Sequence, residues 1–354
     1  MAEKVLMKGN EALAEAAIKC GCHSFFGYPI TPQTEVAAYM AKRLPKIGGT
    51  YLQAESEISA INMVLGAASA GVRAMTSSSS PGISLKCEGI SYIAGSDLPC
   101  LMINVQRGGP GLGGIQPAQS DYWQATRAPG HGDLHILVFA PSTIQEMVDL
   151  VYDAFDKADQ YRMPAMILAD GMLGQMMEPV SFPEKEVTEF VEKPWATNGH
   201  QNKREHNVVN SLHLQASELE RTIVERFQKY DIIKENEQRA EEYMVEDADI
   251  VLVAYGATAR IAQSAVKTAR GQGIKAGLIR PITVWPFPTK AIDNACATAK
   301  NFLCVEMSMG QMVDDVRLVV NGRMPVHFFG RTGGVIPTPA EVLVQIKTIA
   351  GGAK

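Results

Sequence analysis

Ser24-Phe25-Phe26-Gly27-Tyr28-Pro29-Ile30-Thr31-Pro32 is a short apolar run closed by a turn that two prolines fix, with a helical pattern after it. Proline locks φ and carries no N–H, so the strand stops here and the next helix is expected to begin at Pro32 or Gln33. The alternation continues down the chain. Apolar β-rich runs recur at 73–77, 100–105, 136–140 and 165–169, and between them 56–70 and 143–158 space apolar residues three and four apart. Strands separated by helices pair in parallel, so this part of the chain predicts an α/β fold, a parallel sheet with helices on both faces.

A second alternation starts at 248, with strands at 248–254 and near 276–279, 302–306 and 326–329, and a helix reaching Arg270. Its junctions Gly256-Ala257-Thr258 and Glu306-Met307-Ser308-Met309-Gly310 fall at the carboxyl ends of parallel strands, where open α/β sheets place sites. Between the two units, 179–194 is acidic and punctuated by proline, and 216–243 reads as a charged, solvent-facing helix. Two domains and a linker also suit 354 residues, at roughly 150 residues per domain.

Hydrophobic residues make up 46% of the chain and charged residues 20%, enough apolar surface for a real core, which excludes wholesale disorder. Acidic side chains outnumber basic ones, 38 to 33, and no dense Lys/Arg stripe tracks a phosphate backbone, so nucleic acid is not an expected partner. Six cysteines are scattered, and the pair Cys20-Gly21-Cys22 lacks the two-residue gap of zinc and redox sites. Reduced thiols and a cytoplasmic location are expected. The first residues carry no signal-peptide-like apolar stretch, and no apolar run approaches the ~18 residues of a membrane span.

Gly109-Pro110-Gly111-Leu112-Gly113-Gly114 fits the dinucleotide pattern G-x-G-x-x-G, but Pro110 and Pro117 interrupt the helix that this fingerprint must open. A Gly-rich loop at which backbone approaches a ligand or a neighbouring subunit is the favoured reading. Arg107, at the end of the preceding strand, either grips a carboxylate through two parallel hydrogen bonds or joins a surface ion pair. Thr31 is either a helix N-cap or a hydroxyl aimed at an anion. Glu55-Ser56-Glu57 opens a helix in which Ser56 is a natural cap and the carboxylates suit the first turn. Thr76-Ser77-Ser78-Ser79-Ser80-Pro81-Gly82 reads as a hydroxyl-rich turn, suited to a ligand or to solvent. His131, flanked by glycines, has the open imidazole that acid–base chemistry needs, although a plain turn histidine looks the same. The seven histidines show no metal-ligand spacing, and neither a Walker A nor a G-x-S-x-G sequence is present.

Six segments in order are Gly27-Tyr28-Pro29-Ile30-Thr31-Pro32, Glu55-Ser56-Glu57-Ile58-Ser59-Ala60, Thr76-Ser77-Ser78-Ser79-Ser80-Pro81-Gly82, Asn104-Val105-Gln106-Arg107-Gly108-Gly109-Pro110, Gly130-His131-Gly132-Asp133 and Trp285-Pro286-Phe287-Pro288. Together they resemble the alpha subunit of the 2-oxoacid:ferredoxin oxidoreductases, thiamine diphosphate enzymes that oxidatively decarboxylate a 2-oxoacid onto coenzyme A. The resemblance spans nearly the whole chain. It implies a thiamine-diphosphate-binding fold, with 1–180 a pyrimidine-type domain, 181–247 a charged, partly helical linker and 248–354 a transketolase-C-like α/β domain. By motif, Glu57 falls on the catalytic carboxylate that hydrogen-bonds N1′ of the aminopyrimidine. Thr31 and Arg107 fall on substrate-binding positions, and Tyr28, Pro29 and Ile30 on the turn beside the cofactor. Ser79 and His131 match the motifs without a defined role.

The Gly-Asp-Gly…Asn signature that holds Mg²⁺ and the diphosphate is missing, as are the closely spaced cysteines of iron–sulfur clusters. The resemblance therefore implies a shared cofactor. The diphosphate and Mg²⁺ would sit on a beta subunit, and [4Fe-4S] clusters there or on a ferredoxin-like delta subunit. A gamma subunit would complete the complex and ferredoxin would take the electrons, so the chain alone is expected to be inactive. The loop at 108–113 looks most like the branched-chain (2-oxoisovalerate) members, with 2-oxoglutarate and then pyruvate as alternatives. No second basic residue stands beside Arg107 to clamp a distal carboxylate. A non-oxidative thiamine-diphosphate decarboxylase subunit, a non-catalytic assembly subunit and, last, a nicotinamide dehydrogenase stay open as rival readings.

Overall fold

The computed structural model describes residues 4–183 and 192–351. Positions 184–191 of the proline-punctuated stretch and the first and last three residues lie outside the described residues. Val5–Lys8 (β1) pairs antiparallel with Met177–Val180 (β8), which closes the first unit on itself. The larger sheet has seven strands, in the order Thr283–Trp285 (β12), Leu137–Phe139 (β6), Pro164–Asp170 (β7), Cys100–Gln106 (β5), Ala74–Ser78 (β4), Ser24–Gly27 (β2) and Thr50–Gln53 (β3). All are parallel except β12, which runs against β6. The central strands β5 and β7 are buried at every position, as strands covered on both faces must be. Each Ile, Leu or Met they sequester contributes about 1.5–3 kcal/mol.

Two groups of helices cover this sheet. Gly9–Lys19 packs on Thr34–Arg43 and on Ile144–Tyr161, while Glu57–Ser69 packs on Ser80–Gly95. Right-handed crossovers require this division, because the chain steps one way along the sheet from β2 to β3 and from β6 to β7, and the other way from β3 to β4 and from β4 to β5. That reversal creates a switch point between β2 and β4. These two strands pair only at Ser24 with Ala74 and Phe25 with Met75. Beyond that, β2 continues on β3 and β4 continues on β5, so a crevice opens at their carboxyl ends. In open α/β sheets this is where ligands bind.

The second sheet runs Val326–Gly330 (β14), Asn301–Glu306 (β13), Ile250–Val253 (β10), Ala276–Pro281 (β11) and Ala240–Tyr243 (β9), parallel except for β9. Three features differ from the sequence expectation. The charged helix is Ala216–Asn236, and the last residues assigned to it form β9 instead, because pairing with β11 outweighs the helical preference of a Glu-rich segment. This helix is also not wholly solvent-facing: Arg226, Tyr230 and Ile233 are buried, and Arg226 donates to Asp97 and to the Gly95 carbonyl. Conversely, Thr283–Trp285 leaves the second unit to extend the first sheet, where Trp285 stacks on His135 with ring centroids 4.6 Å apart.

Candidate active site

The crevice is bridged by a side chain that the sequence reading did not select. Gln33 is fully buried; its amide donates to the Tyr28 carbonyl at 3.2 Å and its Oε1 accepts from the Ser77 hydroxyl at 2.6 Å. Gln33 thus ties the turn after β2 to β4 across the gap. From the other side, Asn10 donates to the Pro32 carbonyl at 2.7 Å. The helix begins at Thr34 with Gln33 at its cap position, so neither Pro32 nor Gln33 is its first residue and Thr31 is not its cap. Thr31 is left exposed in the turn with Pro29, while Tyr28 and Ile30 are half-buried.

Glu57 comes from the next connection. The Ala54 N–H donates to the Gly27 carbonyl at 2.9 Å, which draws the end of β3 to the end of β2. Ser56 caps the following helix through the Ser59 N–H at 3.2 Å, and Glu57 is its first residue. Glu55 turns outward and accepts from the Ser59 hydroxyl. Glu57 instead is only 6% exposed, and its carboxylate makes no hydrogen bond among the described residues. It lies against Gly82: a Cβ there would come within 2.7 Å of Glu57 Oε1 and run into Ser78 Oγ.

The segment Thr76 to Gly82 is not a loop. β4 runs through Ser78, Ser79 is the cap residue, and the helix starts at Ser80. Ser79 does not use its hydroxyl to cap. The hydroxyls of Thr76, Ser78 and Ser79 are all buried without a hydrogen-bond partner. Strand alternation sends Ser77 to Gln33 on one face and Thr76 and Ser78 to the other, toward Glu57. On that side Lys86 is also fully buried, with an unpartnered Nζ.

Arg107 follows β5. Its Nη1 donates to the Thr31 carbonyl and its Nη2 to the Leu112 carbonyl, both at 3.0 Å; Nε has no partner, and no carboxylate among the described residues pairs with it. The surface ion pair is therefore not what this arginine makes. A network fixes its backbone: the Arg107 N–H donates to Ser80 Oγ at 3.0 Å, and Asp121 Oδ2 accepts from Ser80 Oγ at 2.6 Å and from Asn104 at 2.9 Å. Burial pushes the Asp121 carboxyl up, against the hydrogen bonds from Ser80 and Asn104 and the charge of Arg107. Beside the Gly-rich loop a cleft of about 670 Å³ opens between the two units, lined by Ser80, Asp121 and Gly109 on one side and Met309, Gln311 and Thr332 on the other. Among the described residues no Lys or Arg lines it.

His131 is not brought to this cluster. Its carbonyl accepts from the Ser91 hydroxyl and its ring meets Tyr92 edge-on, at the far half of the helix that starts at Ser80. Eleven residues of helix, roughly 16 Å at 1.5 Å per residue, separate Ser91 from Ser80. The junctions of the second sheet are at the carboxyl ends as expected, but they are occupied by the protein itself. Glu306 accepts the N–H groups of Gln311, Met312 and Val313, and Gln119 joins Tyr255, Thr258 and Met307 across the seam between the units.

Beside a switch point, then, are a buried carboxylate without a hydrogen-bond partner and an arginine without a carboxylate hydrogen-bond partner among the described residues, a pairing of groups that suits a cofactor-assisted enzyme with an anionic substrate. Comparison with known proteins says which one. Residues 15–248 match the thiamine-diphosphate-binding family of pyruvate flavodoxin/ferredoxin oxidoreductases, and 248–342 match pyruvate:ferredoxin oxidoreductase core domain II. The chain is 48% identical over 346 residues to ketoisovalerate oxidoreductase subunit VorB of Methanothermobacter marburgensis, covering 98% of each. It is 37% identical over 376 residues to 2-oxoglutarate synthase subunit KorA of Methanothermobacter thermautotrophicus, covering 98% of this chain and 99% of that one.

Among solved structures, 2-oxoglutarate:ferredoxin oxidoreductase from Magnetococcus marinus, with 2-oxoglutarate, coenzyme A and succinyl-CoA bound, superposes with a TM-score of 0.85 at 27% identity. The match covers 98% of this chain and 65% of the Magnetococcus chain. A split-gene transketolase, at a TM-score of 0.60 and 14% identity, shares the fold alone. The chain belongs to the 2-oxoacid:ferredoxin oxidoreductase family and is a subunit of a thiamine-diphosphate-dependent enzyme of the EC 1.2.7 type. Among the described residues no helix is long and apolar enough to cross a membrane.

Proposed function

We propose that this chain is the alpha subunit of an enzyme that converts 2-oxoisovalerate and coenzyme A to the branched acyl-CoA and CO₂, with the electron pair passing through iron–sulfur clusters to ferredoxin. The observation that carries this reading is the meeting of Glu57, Thr31 and Arg107, from three separate connections, around the crevice between β2 and β4. The similarity to the ketoisovalerate subunit, 48% against 37% for the 2-oxoglutarate subunit, favours the branched-chain acid.

The residues present fit thiamine diphosphate: a buried carboxylate with no partner, unpartnered hydroxyls beside it, and a glycine where any Cβ would press on that carboxylate. When bound, thiamine diphosphate supplies the nucleophilic carbon that adds to the 2-oxo carbon and takes up the electron pair that CO₂ leaves behind. Glu57 would share a proton with N1′ of the aminopyrimidine. Arg107 would grip the substrate carboxylate with its fork, and the Thr31 hydroxyl would orient the oxo group. Tyr28, Pro29 and Ile30 would shape the wall of the turn, and the Ser79 hydroxyl would donate to the bound molecules.

The diphosphate, Mg²⁺ and [4Fe-4S] clusters would belong to partner subunits of the beta, gamma and delta type. Leu112 at 84% and Met309 at 77% exposure, on either side of the cleft, mark the face such a partner would cover. The test is anaerobic. The native complex, isolated through a tag on this chain, should reduce viologen in a coenzyme-A-dependent way with 2-oxoisovalerate, and far less well with 2-oxoglutarate or pyruvate. Preference for either of those would move the substrate, and free aldehyde without acceptor reduction would make it a decarboxylase. Unchanged turnover in an intact Glu57→Gln complex would leave only an assembly role.

A further inference from the structure

Helix Ser80–Gly95 turns Gly82, Lys86 and Gly89, four and seven residues apart, toward helix Glu57–Ser69. Gly82 lies against Glu57 and Gly89 against Ile61, so the two helices touch closely at both ends of this stripe. Lys86 lies between. It is wholly buried, and its ammonium has no hydrogen-bond acceptor among the described residues. Nor do the buried hydroxyls of Thr76 and Ser78 on β4, beneath the same helices, have partners.

An unpaired ammonium is among the costliest groups to bury, and Met or Leu would fill a similar volume without that cost. Packing therefore does not explain a lysine here. The charge that acts on it is Glu57, which favours the ammonium, while burial outweighs this and holds Lys86 down to about 8. In a desolvated site such an interaction is only weakly screened.

We propose that Lys86 is a positioning residue for Glu57, its buried positive charge biasing the proton that Glu57 shares with a bound aminopyrimidine toward N1′. The proposal rests on the reading of Glu57 as the N1′ partner. Lys86 touches neither substrate nor cofactor in this account and acts only through Glu57.

The experiment uses the whole complex, tagged on this chain and loaded with thiamine diphosphate, as wild type, Lys86→Met, Lys86→Gln and Glu57→Gln. The readout is hydrogen–deuterium exchange at C2 of the bound cofactor, followed by acid quench and proton NMR, with cofactor content measured alongside. Glu57→Gln should slow exchange strongly, and both Lys86 variants should slow it roughly 10- to 100-fold at unchanged cofactor content, the effect of removing one nearby unit charge at protein-like permittivity. Normal exchange in both Lys86 variants, with slow exchange in Glu57→Gln, overturns the role of Lys86 and leaves Glu57 standing. Normal exchange in Glu57→Gln removes the Glu57 reading and this proposal with it. Loss of assembly or of cofactor in both Lys86 variants makes Lys86 a structural residue and also overturns the proposal.

Discussion

The guanidinium of Arg107 donates to the backbone carbonyl of Thr31 at 3.0 Å, joining residues 76 positions apart in the chain. Two strand-end loops are pinned together by a cation that makes no hydrogen bond or ion pair to a carboxylate among the described residues. The charge is therefore available to an anion arriving beside Thr31.

This relationship predicts the behaviour of Arg107 variants. Arg107→Ala should lower kcat/KM for the 2-oxoacid by about 100-fold or more, with most of the loss in KM and little loss of assembly. Arg107→Lys should recover only part of it, since one ammonium cannot hold Thr31, Leu112 and a substrate carboxylate as a planar fork does. Equal loss of Tm and activity in Arg107→Lys would mean that the residue only ties the loops.

Gly82 and Gly89 allow a paired test of the helix contact. A methyl group on Gly89 would press on the Ile61 side chain, and one on Gly82 on Ser78 and Glu57. Both Gly→Ala variants should destabilise by about 1–3 kcal/mol through overpacking. Only Gly82→Ala should also weaken thiamine diphosphate binding by the assembled complex, measured by titration against cofactor fluorescence.

Gln119 should act as a clasp between the two units. Its buried amide serves the Tyr255 carbonyl, the Thr258 hydroxyl and the Met307 N–H. Gln119→Leu strands these groups and should cost about 3 kcal/mol or more. Thermal unfolding would show a lower Tm, and a transition that splits into two if the clasp couples the units.

Lys86 predicts an unusual pH dependence of stability. Its pKa falls from 10.5 to about 8 on folding, chiefly by burial, so between those values the unfolded chain binds more protons than the folded one. The charged lysine therefore destabilises the fold below pH 8, and the penalty fades as pH rises toward 10.5. Lys86→Met should raise stability by about 3 kcal/mol at pH 7, with the gain shrinking between pH 8 and 10.5, as urea denaturation of the chain at two pH values would show. A variant more stable yet slower in C2 exchange is the signature of a residue kept for function.

Much of the architecture could be read from local pattern. Alternating β-rich runs and amphipathic helices specify a parallel sheet, because each connection must cross back over a face. Ser56 as the cap of the Glu57 helix was equally readable, since capping involves only neighbours in sequence. The helix at 216–243 was over-extended because the pairing that turns Ala240–Tyr243 into β9 comes from a strand more than thirty residues away. The glycines flanking His131 suit an acid–base residue and a plain turn histidine alike, and only the position of its partner Ser91, well down the helix from Ser80, sets it apart from the crevice. Gln33, Asp121 and Lys86 gave no motif signal. Each matters through residues brought to it by folding.

The sequence by itself determined the class of fold, the turns that end its strands, and the residue types Thr31, Glu57 and Arg107 placed after three of them. Those properties are local: backbone restriction by proline, hydrophobic period and helix capping act over a few residues. Tertiary structure alone decided that the three connections open onto one crevice, that Arg107 has a carbonyl and not a carboxylate for a partner, and that a lysine lies buried near the key carboxylate. Strand order and burial set these, because a charge acquires its chemical character from what surrounds it after the sheet has closed.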